Sequence, residues 1–146
     1  MQAVERLLVS TAPAGRTRIV EGLAALNPVF ANARRQQRQV ELLLLTDGLE
    51  DSSVARFDTM RWNASDAGRL MKKVREQQLL VEIRGNVYVI GGGGSTIALT
   101  QGAQQFWTEY FRASGATLVQ YGRTLPHAPL DGRARLHSVR SDQTAL

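Results

Sequence analysis

The sequence predicts a three-layer α/β fold: a doubly wound, mostly parallel sheet with helices on both faces. Three observations predict it. Three short apolar runs, Val40–Thr46, Val87–Ile90 and Ala116–Tyr121, are each bounded by Gly, Asp or Asn. Their apolar character is nearly continuous, as in strands covered on both sides. Helical periodicity fills the chain between them, and strand–helix alternation with short connections favours right-handed crossovers between parallel neighbours.

The elements follow in order. Leu7–Ser10 reads either as a strand or as the end of a leading helix. Ile19, Leu23, Leu26 and Phe30 share one helical face, and Pro28 predicts a break near Asn27. A second helix is expected from about Ser65 to Leu80, capped by Ser65 or Asn63, with Leu70, Met71, Val74 and Leu79 inward. A third is expected from about Thr96 to Ala113, burying Ala103, Phe106, Trp107, Tyr110 and Phe111, with Gly115 as its left-handed stop. The core should include Leu43, Leu45, Val89, Phe106, Tyr110 and Val119. Residues 48–62 read as a long loop. Residues 1–122 therefore form one domain, and residues 123–146, which lack periodicity, read as a flexible tail.

Composition narrows the function classes. The chain has 146 residues, enough for one core, and a formal charge of +5. No apolar run could span a bilayer, and the N-terminal segment carries Glu5 without a long apolar stretch, so neither membrane nor secretion signal is read. Cysteine is absent, which fits a reducing, cytoplasmic setting. All basic residues but Lys72 and Lys73 are arginine, yet they form no stripe with interleaved aromatics. That scatter disfavours nucleic acid as a partner.

Two loops stand where ligands of such sheets bind. In Thr46-Asp47-Gly48-Leu49-Glu50-Asp51-Ser52-Ser53 a strand-end Asp offers hard oxygen to Mg²⁺ or Ca²⁺, although an Asx turn in a solvated acidic loop, taken alone, explains it better. In Gly91-Gly92-Gly93-Gly94-Ser95-Thr96 glycine amides at a helix start could meet an anion, although a flexible turn with a Ser/Thr cap explains that too. The loop has neither the lysine of a Walker A loop nor the spaced glycines of a dinucleotide fingerprint. The two histidines, His127 and His137, both fall in the tail, which disfavours a hydrolytic triad and a zinc site.

The segment Gly15-Arg16-Thr17-Arg18-Ile19-Val20-Glu21-Gly22-Leu23, followed by LLLLTDGLEDS, resembles the second half of a von Willebrand factor A domain. VYVIGGGG and FWTEYFRASGATLVQYG look like the closing strand–loop–helix–strand of divergent bacterial members. The resemblance covers roughly residues 5–122 and implies a Rossmann-like sheet. It also implies a metal-ion-dependent adhesion site to which Thr17 and Asp47 contribute. The family's Asp-x-Ser-x-Ser motif does not precede Thr17, so the chain looks like such a domain lacking its first strand and helix. That would leave an open edge beside Val40–Thr46 and call for a homo-oligomer or another chain to complete the sheet.

The functional expectation is a non-enzymatic protein-binding or assembly module acting through the carboxyl edge of the sheet. Its site would be degenerate, with weak binding of Mg²⁺ or another divalent cation by Thr17 and Asp47. The loop of Gly91, Gly92, Gly93, Gly94 and Ser95 would meet a ligand or anion there. The alternative is a nucleotide- or phosphate-binding enzyme built on Gly91–Thr96.

Overall fold

A computed structural model describes residues 4–10, 16–123 and 135–136. The elements run β1 (Val4–Ser10), α1 (Ile19–Ala25), α2 (Asn27–Arg35), β2 (Gln39–Leu45), a 3-10 turn (Phe57–Thr59), α3 (Asp66–Glu76), β3 (Gly85–Ile90), α4 (Ile97–Ser114), β4 (Thr117–Gly122) and β5 (Arg135–Leu136). The strands form one sheet in the order β4-β3-β2-β1-β5, and each neighbouring pair is parallel. The fold is therefore α/β and Rossmann-like, and the three strands expected from the apolar runs are parallel neighbours in it.

Local chemistry accounts for the helix boundaries. Pro28 sits in the first turn of α2, where its missing N–H and fixed φ are tolerated, and Leu26 separates α1 from α2. At α4 the Thr96 hydroxyl accepts from Leu99 N at 3.1 Å, and Gly115 closes the helix at φ 89°. The cap of α3 differs from expectation. Ser65 occupies the N-cap position, but its side chain makes no cap hydrogen bond. Instead the Asp66 carboxylate accepts from Asn63 N at 2.7 Å and holds Arg69 at 2.9 Å.

The sheet alternates in a way the apolar run hides. Leu7, Leu42 and Val87 stand in register across three strands, as do Val9, Leu44 and Val89. These residues join Leu23, Phe30, Leu70, Val74, Phe106 and Tyr110 in one core. Leu43 and Ile90, on the opposite face, are buried but stand outside that core, and Leu45 is only half-buried. The described helices thus pack as a single layer on one face; no helix covers the second face among the described residues. Strand order explains this. The chain steps β1, β2, β3, β4 in one direction, and successive right-handed crossovers in one direction place their helices on the same side.

Three expectations change in detail. Val119 is exposed (52%) rather than buried, because the register shifts between Val87 and Tyr88 and the irregularity leaves Leu118 and Tyr121 as the inward-packed residues of β4. Leu45 is half-buried for the reason just given. The open edge beside β2 does not exist, because β1 pairs with β2 along all seven residues. β1 is a strand in spite of its charges: Arg6 donates to Glu41 of β2 at 2.8 Å, and Arg38 reaches Glu5 at 3.4 Å. Within the segment read as a tail, Arg135–Leu136 pairs with Leu7–Leu8 as β5. His127, His137 and most of that segment lie outside the described residues. Among the described residues no helix is long and apolar enough to cross a membrane.

Residues 48–62 are an embedded loop. Val54 and Phe57 are fully buried, and the Phe57 ring packs edge-on against Trp62 and Phe106 at 4.9 and 5.1 Å. Trp107 of α4 donates from Nε1 to the Gly48 carbonyl at 2.8 Å. The aromatic face of α4 therefore fixes the loop that follows β2.

Candidate functional site at the carboxyl edge of the sheet

Three segments meet at the carboxyl ends of the strands: the start of α1, the loop after β2 and the loop after β3. The Asp51 amide donates to the Thr17 carbonyl at 2.8 Å, and the Gly93 amide donates to the Asp47 carbonyl at 3.0 Å. Thr17 and the glycine loop are thus tied to the two ends of one loop, Asp47–Asp51. Right-handed crossovers between parallel strands bring such loops to a common rim.

Asp47 is exposed at the end of β2. Its Oδ1 accepts from Leu49 N at 2.9 Å, which is an Asx turn. The neighbouring acids are engaged elsewhere. Asp51 lies 3.5 Å from Arg56 Nε, and Glu50 points inward. No group of three or more His, Cys, Asp or Glu side chains that could hold a metal occurs among the described residues. A cation at Asp47 would draw on one carboxylate, the Thr17 hydroxyl and water, well short of the six to eight oxygens that hold Ca²⁺ firmly.

The glycine loop has its amides engaged within the chain. Gly91 and Gly92 donate to the Gly122 carbonyl at 2.6 and 3.2 Å, Gly93 donates to Asp47, and Gly94 donates to the Thr100 hydroxyl at 2.8 Å. The glycines are needed for packing. A Cβ on Gly92 would lie 2.7 Å from the Tyr121 ring, and Gly48, at φ +77°, faces the same ring. Tyr121 fills the hollow between the two loops and donates to the Asp47 carbonyl at 3.4 Å. Burial pushes its phenol pKa up, so it remains a neutral donor.

Glu50, expected from the sequence in a solvated acidic loop, is instead buried. It is 1% exposed. Its Oε2 accepts from the Ile19 and Val20 amides at 2.8 and 3.2 Å, so it caps α1 from another segment. The other oxygen, Oε1, has no hydrogen-bond partner among the described residues. Burial pushes its pKa up to about 7; the Ser52 hydroxyl and the two amides oppose that shift, and the Glu21 charge adds to it. A signal existed in the sequence. Arg18 occupies the N-cap of α1, where Ser, Thr, Asp or Asn would be usual, so the first amides need a partner from elsewhere.

Beside the rim lies an open recess of about 390 Å³ lined by Gly94, Ser95, Thr96, Ile97, Thr100 and Gln101. Ile97, the first residue of α4, is 78% exposed there. No family model, curated protein or solved structure matches the chain.

Proposed function

We propose that the chain is a non-enzymatic binding or assembly module that meets a protein partner through the carboxyl rim of its sheet. The observation that carries this reading is the engagement of all four Gly91–Gly94 amides within the chain. The rim is left to offer side chains: the exposed Ile97 as an apolar anchor in the recess it shares with Ser95, and Asp47 and Thr17 at the loops tied to the same rim. A segment presenting an apolar residue fits Ile97, and an acidic residue beside it would meet Asp47 through a bridging divalent cation. Such a partner is the kind implied by the resemblance to von Willebrand factor A domains, in which Thr17 and Asp47 take the metal-site positions. Because β1 ends Leu8-Val9-Ser10 with no acid, we read the site as degenerate, with millimolar or weaker affinity for Mg²⁺. The lack of cysteine supports a cytoplasmic setting.

The test is selection of random peptides on the immobilised full chain, with Ile97→Lys for counter-selection. Peptides that pair an apolar residue with an acid and lose binding to Ile97→Lys are expected. Calorimetry should show Mg²⁺ binding no tighter than millimolar in the wild type and none in Asp47→Ala. Failure to enrich any peptide dependent on Ile97 would remove the rim as a protein-binding surface. Micromolar stabilisation by ATP would move the chain to the nucleotide-binding class.

A further inference from the structure

We infer that Glu50 is a proton-controlled latch joining the loop after β2 to the start of α1, closed when its carboxyl is protonated and loosened when it ionises. The geometry is that of a latch. α1 has seven residues and receives no side-chain cap from Arg18. Its first amides, Ile19 and Val20, depend on Glu50 Oε2. Next to that contact the Asp51 amide holds the Thr17 carbonyl. The rest of the loop is anchored to the core instead: Phe57 N donates to the Glu50 carbonyl at 2.9 Å, and the Phe57 ring is fully buried. Opening the Glu50 contact would therefore free the Thr17 side of the rim while the Phe57 side stays in place.

The charge environment sets the direction. Among the described residues Oε1 has no hydrogen-bond partner and the side chain is 1% exposed, so ionisation leaves a buried charge with little solvation. From α1 the nearest charge is Glu21, of like sign and itself 3.5 Å from Arg18. From α4 the ionisable neighbour is Tyr110, which stays neutral as burial pushes its pKa up. On the loop itself Asp51 pairs with Arg56. None of these supplies a cation to Glu50. The Ser52 hydroxyl and the two amide bonds favour the carboxylate, but burial outweighs them.

The ordinary carboxyl of an opened loop ionises near 4.5, and that of the closed loop ionises at about 7. Closure is therefore strongest below about 4.5, weakens as pH rises to about 7, and is level above that. Amide hydrogen exchange on the full chain, corrected for the intrinsic rate, tests this. Protection of Ile19 and Val20 should fall by up to about tenfold per pH unit between about pH 5 and 7, then level off. Val87 and Val89, in the middle of β3, should show a much smaller change. In Glu50→Gln the dependence at Ile19 and Val20 should vanish. A flat wild-type profile, or the same slope in Glu50→Gln, would overturn the inference. Should Glu50→Gln fail to fold, a carbon-13 titration of the Glu50 carboxyl in the wild type decides. A midpoint near 7 supports the latch, and one near 4.5 overturns it.

Discussion

The two loops at the carboxyl rim contrast in an instructive way. Gly91–Thr96 has the composition of an anion cradle, yet its glycine amides are bonded to Gly122, Asp47 and Thr100, and Tyr121 occupies the hollow. Asp47–Ser53 has the composition of a solvated acidic loop, yet Glu50 and Ser52 are buried and one carboxylate caps a helix from 31 residues away. Composition states what a loop's groups could bind. Tertiary neighbours decide which of those groups are free.

The contrast can be broken by substitution. Phe57→Ala should have the largest effect, about 3–5 kcal/mol by chemical denaturation, because the ring is fully buried and anchors the acidic loop against α4. A loss below about 1 kcal/mol would mean that the loop is not embedded as described. Next comes the pH dependence of Glu50. Its contribution is present below about 4.5 and lost as pH rises through about 7, a change of at most about 3 kcal/mol. Denaturation midpoints from about pH 5 to 7.5 should fall more steeply for the wild type than for Glu50→Gln; parallel curves would contradict this.

Smaller effects are expected in the glycine loop. Gly92→Ala places a methyl against the Tyr121 ring and should destabilise by about 1–3 kcal/mol. In a Tyr121→Ala background the same change should be nearly neutral, a coupling that a double-mutant cycle measures. Additive losses would detach the glycines from Tyr121. Ile97→Lys and Asp47→Ala, on exposed side chains, should stay within about 0.5 kcal/mol in thermal melts. Larger losses would mark them as structural rather than available to a partner.

Much of the fold was legible because the three apolar runs and the helical periodicities are local signals. β1 was less so: its charged residues 5 and 6 looked unlike a buried strand until Glu41 and Arg38, distant in sequence, came alongside. The single helical layer was not legible, since periodicity says nothing about strand order. Val119 was misplaced because a shift in register cannot be read from apolar content. At the rim, the meeting of Thr17, Asp47 and the glycine loop followed from parallel topology. The burial of Glu50 did not, because an acid two residues after a glycine ordinarily signals a turn. The missing cap at Arg18 was the only local hint.

With its glycine amides bonded within the chain, the rim offers side chains and no backbone anion cradle. Amide NMR of Gly91, Gly92, Gly93 and Gly94 during titration with ATP and with inorganic phosphate tests it most directly. These four resonances should stay fixed up to roughly 10 mM ligand, because their N–H groups already have partners. Saturable shifts at sub-millimolar concentration would contradict it.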